Sequence, residues 1–260
     1  MTAFNLAPSR NATAPVLSFP TSFQLERGKY VIRLARTNEE IDSVLRLRFA
    51  VFNIELREGL ARSFASGKDQ DAFDLQSEHV ILIDRSNKQT VGTCRLRTYD
   101  HLSSDAGFYS SVRFDLRTLP PEVLENSAEF GRACIAKPHR NRDSFKLLWQ
   151  FLTHYSTRNK RRYLFGCCSM NSQDPVAGGQ LFEGLFQAGH VHREFRVIPR
   201  PGSKCIFYRT VTPTTYRVLP SPFHTYLKLG AKICGMPAID REFRTIDFFT
   251  ILDLGHSKYR

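Results

Sequence analysis

The order of apolar patterns along the chain predicts an α/β protein, one domain built around a central mixed sheet. Two observations carry that class. Short apolar or alternating runs that read as strands interleave with apolar residues at helical spacing, in the order strand, helix, hairpin, strand, helix, strand, helix, strand. Neither an internal repeat nor a mid-chain linker interrupts the 260 residues, a length sufficient for a proper hydrophobic core. A hydrophobic share of 42% and a charged share of 24% place the chain among ordinary globular proteins. No apolar run reaches the roughly 20 residues that span a bilayer.

Each element has its own signal. Tyr30 to Ala35 alternates as a strand. Thr37-Asn38-Glu39-Glu40 matches a capping box, and Ile41, Val44, Leu45, Phe49 and Phe52 continue at helical spacing. Residues 57–78 mix Gly, Ser, Asp and Lys and read as loop. His79 to Asp84 and Thr90 to Arg97, separated by a polar turn, read as a hairpin. Pro120-Pro121 signals a short helix. Ala128 to Ala136 reads as a core strand, a helix follows from about Asp143, and Tyr163 to Cys168 is the next strand. A helix near Gly178 to Ala188 and a strand at Cys205 to Val211 complete the recognisable part.

The net charge is +12, and the excess is concentrated. From Arg132 to Arg162 there are nine Lys or Arg residues against a single acid, Asp143. Such a patch favours an anionic partner: nucleic acid, an anionic membrane surface or an acidic protein. No aromatic-interleaved basic motif of a nucleic-acid module accompanies it, so no nucleic acid is expected. None of the six cysteines forms a Cys-x-x-Cys pair, and four lie in apolar runs, as reduced thiols of a cytoplasmic protein do. His190 and His192 lack an evident third ligand, so no metal site is expected. Ser169 lacks the Gly-x-Ser-x-Gly context of a hydrolase nucleophile.

The chemistry-bearing signal is charge placed where the pattern demands burial, which is costly unless the charge is paired or used. Arg48 lies seven residues from Ile41 on the apolar face of the first helix, either snorkelling out or anchoring an acid within. Arg95 sits inside a strand. Asp71 and Asp74 are solvated loop acids or the buried partners of those arginines. Glu129 and Arg132 share a core strand and would face opposite sides unless a bulge at Gly131 changes the relation. They are structural ion-pair members, or a carboxylate that takes a proton from an amine beside a distorted strand whose N–H groups hold an oxyanion. Lys137 to Ser144 is an ordinary basic loop or, opening a helix, a phosphate site.

Arg48-x-x-Val51-Phe52 with Glu55, Asp71-x-x-Asp74, Gly92-x-x-Arg95-Leu96 and Glu129-x-x-Arg132 follow one another in an order that resembles the acyl-homoserine-lactone synthases and their relatives, the N-acyl amino acid synthases and ornithine N-acyltransferases of the GNAT superfamily. The resemblance covers about residues 30 to 210. Gly107-Phe108-Tyr109-Ser110, Gly166-Cys167-Cys168-Ser169 and the stretch from Pro237 to Phe249 are closer to the ornithine-lipid branch. The lone tryptophan, Trp149, departs from the autoinducer branch, which carries one after the first helix.

The resemblance implies a GNAT-like acyltransferase fold whose mostly antiparallel sheet splays beside the strand at 128–136. It implies transfer of a fatty acyl group, 3-hydroxylated or not, from acyl carrier protein to the amino group of an amino acid such as ornithine. The alternative is lactone synthesis with S-adenosylmethionine as acceptor. Glu129 and Arg132 would be catalytic. Arg48, Phe52, Asp71, Asp74 and Arg95 would shape the acceptor side. Ala133, Cys134 and Ile135 with Arg140 and Arg142 would meet the phosphopantetheine and its carrier. Arg140-Asn141-Arg142-Asp143-Ser144 lacks the glycines with which other GNAT enzymes cradle the coenzyme A pyrophosphate. A carrier-protein donor with one phosphate suits it better, acyl-CoA being the other donor considered, and no tightly bound cofactor is required. The expected organisation is a flexible tail over 1–28, the acyltransferase domain over 29–211, and an extension over 212–260. In that extension Phe223 to Ile233 is either a core helix or an amphipathic surface resting on the inner face of an anionic membrane.

Overall fold

In the computed structural model, which describes residues 23–102, 107–206 and 221–255, local chemistry sets the boundaries of the first elements. Strand β1 (Gln24–Arg27) turns at Gly28, whose φ of 56° only glycine adopts without strain, into β2 (Tyr30–Leu34). The Thr37 hydroxyl caps α1 (Asn38–Phe49) by accepting the Glu40 amide at 3.2 Å. Glu40 does not return the favour. Its carboxylate takes Arg33 at 2.5 and 2.8 Å and the Arg36 amide at 2.7 Å, so the cap is welded to the preceding strand. A π-helical turn, Ala50–Glu55, prolongs α1 and carries Phe52.

The hairpin of β3 (Glu78–Asp84) and β4 (Gln89–Thr98) forms as its pattern predicts. Then come β5 (Phe114–Asp115), α2 (Pro121–Glu125), β6 (Ser127–Ile135), α3 (Arg142–Arg158), β7 (Tyr163–Met170), α4 (Pro175–Gln187) and β8 (Ile198–Pro199). The chain continues through α5 (Ser221–Lys228), β9 (Lys232–Ile233), β10 (Ala238–Asp240) and β11 (Thr245–Asp253). The main sheet runs β1-β2-β3-β4-β6-β7-β11-β10, with β9 on β11. All pairs are antiparallel except β6 with β7. This is the GNAT fold, a mixed, mostly antiparallel sheet flanked by helices.

Two boundaries differ from the sequence reading. Gln24–Arg27, assigned to a tail, is the edge strand β1. The segment assigned to an extension holds β11, which lies inside the sheet between β7 and β10. Its successive side chains enter opposite cores. Phe248 joins the core on the α3 face, with its ring 5.6 Å from that of Phe223, and Phe249 packs with Phe114 and Phe165 on the other. A strand buried on both faces has no polar alternation to announce it. Phe223, Tyr226 and Leu227 of α5 are likewise buried in the core. Among the described residues no helix is long and apolar enough to cross a membrane. The expected strand at Cys205 to Val211 falls mostly outside the described residues.

The parallel pair β6–β7 is joined only at Ser127–Tyr163, Ala128–Leu164 and Glu129–Phe165. Beyond these both strands continue but part from one another. Gly166 stands at the vertex, where an added Cβ would lie 2.3 Å from the Phe130 carbonyl oxygen. Gly166→Ala must therefore push the strands apart or shift the backbone. A loss of about 1–3 kcal/mol in urea unfolding is expected, as for other overpacked sites. A change within a few tenths of a kcal/mol would show that the vertex tolerates a side chain.

Candidate active site

The buried charges on core-like elements meet one another. Arg48, fully buried on α1, sends Nε to Asp69 at 3.1 Å and both terminal nitrogens to Asp74 at 2.7 and 3.3 Å. Arg95 on β4 reaches Asp71 at 2.6 Å and Asp74 at 3.0 Å. Arg132 on β6 reaches Asp71 at 2.9 Å and Asp69 at 3.3 Å. Three guanidinium groups thus face three carboxylates, and each acid is shared by two arginines. Burial pulls the Arg48 pKa down, but Asp69 and Asp74 outweigh it and raise it. Burial likewise pushes Asp74 up, and Arg48 and Arg95 overcome that to hold it well below the usual carboxylate range. Asp71 also caps the short turn Ala72–Gln76, accepting the Phe73 amide at 2.9 Å, which fixes the acids against the strands. The inward readings of Arg48, Asp71 and Asp74 are the ones realised. Asp69, hidden in the sequence between Lys68 and Gln70, is the member that the spacing did not disclose.

The expected bulge exists, one residue from where glycine suggested. Thr93 faces Cys134 and Arg95 faces Gly131, so β6 spends one residue more than β4 between these pairs. Arg132 absorbs it with a φ of 51°, an uncommon conformation for a residue with a side chain. The bulge aims Arg132 between two aromatic faces, 4.0 Å from the centre of Phe243 and 4.7 Å from that of Tyr109. Its side chain is 7% exposed.

Arg132 and Ala133 form one wall of a cavity of about 340 Å³ in the opening between β6 and β7. Phe52 and Leu56 close one side of it, and Phe130, Phe223 and Tyr226 give it an apolar floor. Cys134 and Ile135, expected to offer N–H groups with Ala133, rejoin the ladder opposite Thr93 and Gly92 and do not line the cavity.

Glu129 is not on the cavity wall either. It is 4% exposed, and both carboxylate oxygens are occupied. Oε2 accepts the Tyr109 amide at 2.6 Å, and Oε1 accepts the Ser110 amide at 2.7 Å and the Ser110 hydroxyl at 2.6 Å. Burial pushes its pKa up, and these donors work against that push. The group holds the loop that presents Tyr109 to the cavity. Glu129 thus already accepts three donors and does not line the cavity, which sets it apart from the reading as the group that takes the acceptor's proton.

The donor side also differs. Arg140 is committed to Glu55, at 2.6 and 2.8 Å, and to the Ile135 carbonyl at 2.8 Å. The N-terminus of α3 is already capped, with Asn141 Oδ1 accepting the Asp143 and Ser144 amides at 3.0 and 3.1 Å. Both thus already have partners within the fold. Within the basic stretch Arg161 and Arg162 pair with Asp100 and Asp253. What stays exposed at the start of α3 is Lys137, Arg142 and Lys146.

Three acids that the sequence reading did not name complete the cavity: Glu58, Asp240 and Asp247. Burial, reinforced by Asp240, pushes the Asp247 carboxyl up to about 6. Burial and then Asp247 push Glu58 to about 7. Asp240 is paired with Arg113 at 2.7 Å.

A splayed GNAT sheet with a cavity at its parting defines a class. Residues 47–150 match the acetyltransferase (GNAT) domain family, and this match together with the names of its relatives supports an acyltransferase. It is 29% identical over 239 residues to the L-ornithine N(alpha)-acyltransferase of Rhizobium meliloti, covering 86% of this chain and 79% of that one. It is 28% identical over 240 residues to the protein of the same name from Rhodobacter capsulatus, covering 86% and 90%. Among solved structures it is similar to FeeM, an N-acyl amino acid synthase from uncultured soil microbes, with a TM-score of 0.49 and 11% identity over 87% of this chain and 91% of that one.

Proposed function

We propose that this chain is an N-acyltransferase that moves a fatty acyl group, 3-hydroxylated or not, from the phosphopantetheine of an acyl carrier protein to the α-amino group of ornithine. The observation that carries the reading is the cavity at the parting of β6 and β7, which joins an apolar floor to a charged wall. An acyl thioester needs the first and an amino acid the second. The names of the relatives supply the acceptor.

In this reading the acyl thioester enters between the strands with its chain against Phe130, Phe223 and Tyr226. The acceptor's carboxylate lies toward Arg132, and its α-ammonium loses a proton to water. The free amine attacks the thioester carbonyl, the tetrahedral oxyanion is held beside Ala133 on the bulge, and the C–S bond breaks to leave a pantetheine thiol and an amide. Glu129 is a positioning residue that keeps Tyr109 stacked on Arg132. Arg48, Arg95, Asp69, Asp71 and Asp74 hold the bulge in register. Lys137, Arg142 and Lys146 meet the acidic carrier protein.

Thiol release tests the donor. Free thiol should appear faster from the carrier-protein thioester than from the matching coenzyme A thioester. The advantage should shrink as salt rises, because encounter is steered by exposed charge. Equal rates from both donors at low salt would contradict the carrier-protein reading.

A further inference from the structure

The charges around the cavity do not cancel. Arg132 is compensated by Asp69 and Asp71, and Arg113 by Asp240. What remains is Glu58 and Asp247. Glu58 stands on the loop after the π-helical turn, and no hydrogen-bond or ion-pair partner of its carboxylate is found among the described residues. Asp247, on β11, is 3% exposed. Its Oδ1 accepts the Ser169 hydroxyl at 2.7 Å and the Thr245 hydroxyl at 3.0 Å, two neutral donors that fix its direction without neutralising it. Both carboxylates line one cavity, where burial and the charge of Asp247 on Glu58 favour a proton or a cation beside them.

We infer that Glu58 and Asp247 form a seat for an ammonium group, which reads the second, non-reacting ammonium of a diamino acid acceptor. This inference rests on the functional reading above and adds a selectivity to it. An acceptor that brings only one carboxylate and one reacting amine adds no net cation to these two acids. An acceptor with a further ammonium does. Neutral amino acids of the same length leave the two acids without it, and a site built for a charged partner discriminates strongly against analogues that lack it. Burial raises the pKa of both acids, and Asp247 adds to the rise at Glu58.

The test compares ornithine with norvaline, which has the same carbon chain without the terminal ammonium, using one acyl carrier protein donor. The wild-type enzyme should favour ornithine by about 10- to 100-fold in kcat/KM, the range of a charge-assisted hydrogen bond. Glu58→Gln and Asp247→Asn should each reduce that ratio, and the double variant should bring it close to one. Glu58 is only partly buried, so its variant does not depend on the core surviving a change. A double variant that keeps the wild-type ratio, whatever happens to its total turnover, would overturn the inference. Amide formed from ornithine and norvaline alike by the wild type would overturn it too, while leaving acyl transfer standing. No amide from any amine would remove the functional reading, and this one with it.

Discussion

Arg48→Met should destabilise the protein by about 3–5 kcal/mol, lowering its melting temperature by on the order of 10 °C. Methionine fills much of the same volume, so the cost is electrostatic. It leaves Asp69 and Asp74, with side-chain exposures of 0% and 3%, short of the cation that bonds both. Arg95 still reaches Asp74 and Arg132 still reaches Asp69, but each already serves Asp71. Arg48→Lys should fall between, because an ammonium keeps the charge and loses the fork that reaches two acids at once. Urea unfolding followed by circular dichroism reads both. A loss below about 1 kcal/mol for Arg48→Met would mean that the network does not hold the fold together.

Glu129→Gln should reduce kcat/KM by about 100-fold or more while leaving the shape of its pH profile intact. The three donors from Tyr109 and Ser110 require an acceptor on both oxygens. A glutamine offers one oxygen and turns an N–H₂ group toward a donor, so at least one amide loses its partner, at about 1–3 kcal/mol. The Tyr109 loop then loosens, and with it the aromatic face against Arg132. A positioning role scales the rate at every pH. Were Glu129 instead the group that accepts the acceptor's proton, the basic limb of the profile would change along with the rate. The disappearance of a titration in Glu129→Gln would therefore restore the role that its geometry denies.

The network behind both variants was legible because each arginine broke an apolar period. Arg48 on a helix stripe and Arg95 and Arg132 in strands are misplaced unless partnered, and the acids nearest in pattern, Asp71 and Asp74, proved to be the partners. Asp69 escaped because a loop has no period against which a buried acid stands out. The bulge was legible as a need and not as a position. It falls at Arg132 because register with β4 is a long-range property, and Gly131 fits the ladder without any unusual φ.

Asp247 carried a usable signal, a carboxylate inside Thr245-Ile246-Asp247-Phe248-Phe249, the same kind of break that marked Glu129. That signal lies beyond residue 211, past the expected end of the domain, whereas β11 completes the sheet. The helix N-terminus at Asn141 shows the opposite error. Basic residues near a helix start suggest a phosphate site, but an asparagine cap consumes the same N–H groups.

Mass spectrometry of the product tests the central claim most directly. Purified protein would meet carrier protein loaded with a 3-hydroxyacyl chain, together with ornithine, glycine, tyrosine or S-adenosylmethionine. The account predicts one dominant new species, the amide of the acyl chain with the α-nitrogen of ornithine, formed with release of the carrier thiol. A lactone product from S-adenosylmethionine, or hydrolysis without any amide from a folded protein, would contradict it.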